Sequence, residues 1–502
     1  MSEQTFMRPT VRTVTRNMLW NLGGQGALLP AALVAIPVLV DSLGVERFGM
    51  LTLAWAFLGY FSLFDLGLGR ALTKLVAEQL GLGQHEELPN LIQTALVLMI
   101  GLGVTGGLVA GSLAPWVVRD VLNVPTILHD EALGMLYVLA LSIPLVTASA
   151  GLRGVLEAHQ RFDFVNAVRI PLGLFTFLAP LAVLHFSRSL VALAGALAMG
   201  RFFTCGIFLL MCFQVSPALN RGWRVQRGLI RPLMMFGGWM TVTNVIGPLM
   251  DYLDRFLIGA LLSMEAVAYY ATPYDIVTKL WVIPGALVGV LFPAFAASLA
   301  REQGPVHQLF SRGVICLFVG MYPLVLMIVS MAQEGLSFWL GPEFAHHSTR
   351  VLQWLVVGTF VNSLAHVPYA LIQSAGRPDL TAKLHLIELP LYLICVLWLI
   401  NRYGIEGAAM AWGARNLLDM VLLYTIAVHI LPESLLHIRR LAVPFFLALA
   451  VLGVACTLET LSVKGMFVLI SVVVFALATW FFLLTSDDRE FLRHRLDAII
   501  VK

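Results

Sequence analysis

Five charged residues crowd into two consecutive apolar stretches: Asp251, Asp254 and Arg255, then Asp275 and Lys279. An ionisable side chain within a membrane segment costs at least about 2.5–3.5 kcal/mol on insertion scales, so those that persist face a cavity or a partner. Asp251 and Arg255 stand four residues apart, as do Asp275 and Lys279, the spacing at which opposite charges meet on one helix face. Two readings follow. The pairs neutralise themselves and serve the fold, or they form a polar wall that binds substrate through Arg255 and Lys279 and relays an ion through Asp251, Asp254 and Asp275. Arg201 has no acid three or four positions away, so it needs an interhelical ion pair or a cavity. Arg415 has Asp419 one turn on, and Asp65, in F-D-L-G-L-G-R, has Arg70 within reach. Glu388, beside Pro390, and His366 stand alone in apolar runs and are expected to be satisfied packing residues.

Soluble catalytic chemistry is missing from this pattern. There is no G-x-x-x-x-G-K-[ST] phosphate loop, no G-x-S-x-G elbow and no H-E-x-x-H pair, so neither direct ATP drive nor an enzyme is expected. Cys205, Cys212, Cys316, Cys395 and Cys456 all fall in apolar runs without C-x-x-C or Cys/His ligand spacing; they read as packing residues, with no metal or cofactor expected. Apolar residues make up 59% of the 502, Asp, Glu, Lys and Arg only 12%, and the mean hydropathy is +0.86. Soluble domains carry about 25% charge. The net charge of +3 is too small to point to nucleic acid.

The elements that must position these charges are membrane helices. About fourteen apolar spans are predicted, over 18–41, 48–69, 91–117, 132–156, 164–185, 190–213, 233–262, 266–297, 312–332, 351–374, 380–400, 405–430, 441–459 and 463–485. Each suffices for a hydrocarbon core of about 30 Å, and all exceed the roughly 9–11 residues of a barrel strand. Twenty-two of the 32 Lys and Arg fall at the termini and in every second loop, against six in the opposite loops. That bias places both termini in the cytoplasm of a multi-pass protein. The linker at 216–232 carries Arg221, Arg224, Arg227 and Arg231 on one prospective helix face, with Trp223 at the interface.

The chain also repeats itself. Trp20 matches Trp239, Glu46 matches Glu265, Arg161 and Asp163 match Arg377 and Asp379, and Arg201 matches Arg415, at separations that shrink slightly along the chain. The expected organisation is an all-α polytopic membrane protein of two parallel six-helix lobes, 1–215 and 233–432, joined by the basic linker. Two extra helices and a basic tail follow over 433–502. Six helices is an even number, so the lobes are related by an axis along the membrane normal, with a cavity between them.

The segment L-G-V-E-R-F-G-M-L-T-L-A-W-A-F-L-G-Y-F-S-L-F-D-L-G-L-G-R-A-L (43–72) resembles the start of polysaccharide-repeat-unit flippases. These form the polysaccharide-transporter branch of the multidrug/oligosaccharidyl-lipid/polysaccharide exporter superfamily. R-x-D after the fourth and tenth spans and Y-G-I-E-G-A-A-M-A (403–411) match as well. The resemblance implies alternating access and an undecaprenyl-pyrophosphate oligosaccharide as cargo, turned from the cytoplasmic to the periplasmic leaflet of a bacterial inner membrane. It implies that cavity arginines, here Arg255 and Arg201, hold the pyrophosphate; Lys279 and Arg415 are further cationic candidates. The expected partners are the lipid-linked oligosaccharide, membrane lipids, H+ or Na+, and a polysaccharide polymerase with glycosyltransferases. Coupling falls to Asp251, Asp254, Asp275 and Asp65. Two rival readings are a cation-coupled drug exporter of the same superfamily and a membrane-embedded glycosyltransferase or polymerase. The uncharged run Met18 to Val40 disfavours the first, and the lack of a large loop disfavours the second.

Overall fold

The computed structural model describes residues 30–61, 67–81, 87–159, 161–220, 225–299, 306–483 and 489, and among them every regular element is helical. In chain order the α-helices are α1 Pro30–Leu43, α2 Val45–Tyr60, α3 Leu68–Gly81, α4 Leu88–Trp116, α5 His129–Ala158, α6 Phe162–Leu184, α7 Leu190–Val215 and α8 Arg227–Leu261. They continue with α9 Met264–Val277, α10 Val282–Leu299, α11 Val306–Ser330, α12 Ala332–Leu340, α13 Pro342–Ser374, α14 Pro378–Ile430, α15 Ser434–Ala455 and α16 Leu461–Ala478. Among the described residues ten helical segments are long and apolar enough to cross a membrane, and each of the fourteen expected spans overlaps a helix. A helix satisfies its own backbone hydrogen bonds, so it is the stable form for chains this apolar.

Two places depart from the expected spans. The second span ends at Tyr60, and the residues after Gly67 form a separate helix, α3, that is more amphipathic than its neighbours. The eighth span is broken: α9 contains Pro273, ends at Val277, and passes through a 3-10 turn over Thr278–Trp281 before α10 begins. Proline removes a helix donor and crowds the preceding turn, which favours a change of pitch. The eleventh and twelfth spans divide in the expected gap, as two arms of α14 that meet at Gly404, whose φ of 58° and ψ of −137° lie outside helical values. Positive φ is cheap only for glycine, so this residue makes the turn between the two arms.

The described residues cluster into two compact units. One takes in Met1–Lys279 with Leu389–Ala408, the other Leu280–Glu388 with Ala409–Lys502. In the first, α5 packs against α4 and α7, and α2 against α9. The α2–α9 approach is so close that a Cβ on Gly49 would collide with the Met264 carbonyl. The salt bridge Arg47–Glu131, at 2.8 Å, ties α2 to α5. In the second unit α13 packs against α10, α11 and α12, and Lys464 on α16 reaches Glu334 on α12 at 2.8 Å. Without a hydrophobic drive between helices in lipid, close packing and such interhelical polar contacts supply the cohesion.

The two R-x-D copies fold alike. Arg161 donates to Asp163 at 2.9 and 2.8 Å ahead of α6, and Arg377 donates to Asp379 at 3.0 Å ahead of α14. In both, the arginine is the non-helical residue that precedes the helix.

Candidate functional site

Helices α8 and α9 are joined through Leu262 and Ser263, and Ser263 caps α9 by accepting from the Ala266 N–H at 3.0 Å. This connection sets the acids and the arginine of α8 beside the ring face of α9. Arg255 is 1% exposed, and its Nη2 donates to Asp275 Oδ1 at 2.5 Å. Its guanidinium lies 5.5 Å from the Tyr252 ring centroid and 5.0 Å from that of Tyr274. Its Nε is buried without an acceptor among the described residues. Asp254, fully buried, accepts from the Tyr270 hydroxyl and from the Arg255 backbone N–H.

Arg255 therefore pairs between helices, with Asp275, rather than being read only against its own-helix neighbour Asp251. A phosphate would have to displace Asp275 to take up that fork. Asp251 lies half-buried on the same helix, and Lys279 sits half-buried on the 3-10 turn where the eighth span breaks. Irregular backbone at membrane depth is tolerated where it is buried in protein or lines a cavity. Asp65 lies outside the described residues.

Arg201 occupies the middle of α7, half-buried, with Gly200 buried before it and Phe202 and Phe203 exposed after it. No ion pair reaches it among the described residues. A guanidinium in that position keeps its five donors available to an anion.

A second constellation gathers on α14. His385 and Glu388 stand one turn apart on its first arm, and Arg415 and Asp419 on its second. His385 Nε2 is 4.0 Å from Asp419 Oδ1, and one donor atom each from His385, Glu388 and Asp419 fall within 4.8 Å of one another. Glu388 is 1% exposed, and neither of its oxygens meets a hydrogen-bond donor among the described residues. Arg415 is close enough for its charge to act on both His385 and Glu388. Glu388, expected to stand alone, has a carboxyl, an imidazole and a guanidinium as neighbours. His385 was not among the expected residues; the signal available was H-x-x-E at one-turn spacing inside an apolar run. His366 behaves as a packing residue, with Nδ1 2.9 Å from the Asn362 carbonyl oxygen.

An apolar recess of about 350 Å³ lies between α11, α13, α14 and α15, with Phe310, Leu364, Tyr424 and Phe445 in its wall. Arg227 and Arg231 of the linker region are exposed on the first turns of α8, whereas Arg221, Trp223 and Arg224 lie outside the described residues.

Known proteins share this architecture and parts of the sequence. The family model described as "Polysaccharide biosynthesis protein" matches residues 14–299. A Shigella flexneri protein named as a putative O-antigen transporter is 27% identical over 412 residues, covering 82% of this chain and 97% of its own length. A multidrug resistance MATE family transporter of the MOP superfamily, solved inward-facing, superposes with a TM-score of 0.66 at 15% identity over 82% of this chain and 93% of that one. The lipid II flippase MurJ, in an inward closed conformation, gives a TM-score of 0.65 at 10% identity over 92% of this chain and 98% of that one. At these identities the two structures establish a shared fold.

Proposed function

Because the chain belongs to the polysaccharide biosynthesis protein family and has the fold of MOP-superfamily membrane transporters, we propose that it is a flippase for a lipid-linked oligosaccharide. The cargo is an undecaprenyl-pyrophosphate repeat unit, carried from the cytoplasmic to the periplasmic leaflet of the inner membrane by alternating access of two six-helix lobes and driven by an ion gradient. The observation that carries this reading is the nearly full-length match to a relative named as an O-antigen transporter. The fold supports it, since a structural neighbour of that fold is named as a lipid II flippase.

In this reading Arg201 is the primary pyrophosphate ligand, because no acid competes for it among the described residues. Arg255 joins only if Asp275 yields its place during the cycle. Guanidinium binds phosphate oxygens through two parallel N–H donors, and the bond strengthens in a dehydrated cavity. The apolar recess beside α15 suits part of an isoprenoid chain. Lys279 and Arg415 serve as secondary cationic contacts. Asp251, Asp254, Asp275 and Asp65 are acids through which an ion could be coupled, and the polymerase and glycosyltransferases act on the same lipid before and after it.

Export of surface glycan by cells carrying Arg201 variants tests the assignment. Arg201→Ala should abolish export at normal protein level, and Arg201→Lys should retain part of it, since charge survives and the bidentate fork does not. Full export by Arg201→Ala would remove this residue from the binding site.

A further inference from the structure

The α14 constellation shares only Arg415 with the residues assigned to the cargo, and charge balance limits what it can hold. Glu388 and Asp419 come together from the two arms, with Arg415 the one fixed cation, among the described residues, whose charge acts on the group. With both carboxyls ionised and imidazole neutral, the group carries one excess negative charge in a membrane helix pair. Two like charges at this separation in a low-dielectric interior repel strongly, which favours uptake of one proton. One added proton makes the group neutral: a carboxylic acid, a carboxylate and a guanidinium. A divalent cation would instead leave an excess positive charge beside Arg415.

A second observation points the same way. Glu388 is 1% exposed and neither of its oxygens meets a donor among the described residues, while the Asp419 carboxyl stands beside it, so a proton on either carboxyl would supply the missing hydrogen bond. His385 is 18% exposed, the most accessible of the three ligand-bearing side chains. On the neighbouring helix α13, Asn362 donates to Asn416 at 3.4 Å, and the titratable His366 stands one turn on, its Nδ1 2.9 Å from the Asn362 carbonyl oxygen.

We propose that Glu388 and Asp419 share one exchangeable proton, with His385 as its route, so that this pair is the proton-coupling site of the transporter. The step balances simply. The proton bridging the two carboxyls passes to the His385 imidazole and then to water, leaving two carboxylates and Arg415. Holding the proton binds the arms of α14 to each other, and losing it sets them in repulsion. Uptake and release thus bias the packing of the arms that meet at Gly404. The proposal rests on the flippase reading for its role in transport, but the protonation itself does not.

The test is infrared difference spectroscopy of the full chain in nanodiscs, stepping the pH in potassium buffer. The wild type should show a neutral carboxylic-acid band that is lost as pH rises. Glu388→Gln and Asp419→Asn should each remove that band, while Asp163→Asn, at an exposed carboxyl, leaves it in place. Retention of the band in both Glu388→Gln and Asp419→Asn overturns the proposal, as does its loss in Asp163→Asn alone. So does a band displaced by Na+ at constant pH, which would make the group a metal-cation site. Proteoliposomes then separate the two readings. Wild-type transport that responds to a pH gradient, with Glu388→Gln transporting but at least tenfold less responsive, supports the site. No wild-type translocation of a polyprenyl-pyrophosphate oligosaccharide defeats the flippase reading and leaves the protonation result from spectroscopy standing.

Discussion

Replacing Arg255 by alanine removes the buried guanidinium of the α8–α9 cluster while Asp275 stays behind. Deleting one partner of a buried ion pair costs about 3–5 kcal/mol, because the other charge is left unpaired. Asp275 is 22% exposed and keeps some hydration, which places the loss near the lower bound. The stacking of the guanidinium between Tyr252 and Tyr274 contributes about another 0.5–1 kcal/mol. Arg255→Ala should therefore destabilise by about 3–4 kcal/mol, more than a hundredfold in the folding equilibrium. Apolar replacement of both partners is often neutral. Arg255→Met with Asp275→Leu should accordingly recover most of the loss. Unfolding of purified protein in nanodiscs, followed by intrinsic fluorescence, measures both. A coupling energy under about 1 kcal/mol in the completed double-mutant cycle would refute the buried-pair account. Glycan export by the double variant, normalised to protein level, decides the second issue: full export removes Arg255 from the cargo site.

Two other perturbations follow from the packing and from the charge pattern. Gly49→Val should force α2 away from α9 and lower unfolding stability by about 1–3 kcal/mol, the usual penalty of overpacking; an unchanged unfolding transition would contradict the close approach. Reporter fusions at residue 225 and at the C-terminus should both give cytoplasmic signal, as the basic loops require; periplasmic signal at either would defeat the parallel-repeat arrangement.

The helices were readable because length and apolarity alone identify a membrane span. The expected 132–156 and 190–213 correspond to His129–Ala158 and Leu190–Val215. The R-x-D repeat was equally readable, since its ion pair is local and forms in both copies. The broken eighth span was harder: Pro273 and Lys279 mark the place, but an apolar run continues through it and hides the change of pitch. Partners across helices were not readable. Four-residue spacing suggests Asp251 for Arg255, whereas the contact with Asp275 depends on how α9 folds back after Ser263. Likewise H-x-x-E and R-x-x-x-D are each visible on their own arm of α14. The turn at Gly404 falls in the gap between the expected spans, but which side chains meet across the two arms is not encoded in a pattern of period 3.6.

Movement of a lipid-linked oligosaccharide between leaflets is tested most directly in proteoliposomes holding only this protein and a fluorescent undecaprenyl-pyrophosphate oligosaccharide. A membrane-impermeant glycosidase added outside trims whatever sugar is exposed. With wild-type protein the trimmed fraction should rise from about half toward completion, and Arg201→Ala should hold it at the protein-free level. A wild-type trimmed fraction that stays at the protein-free level, in vesicles under an imposed pH gradient, would contradict the flippase reading.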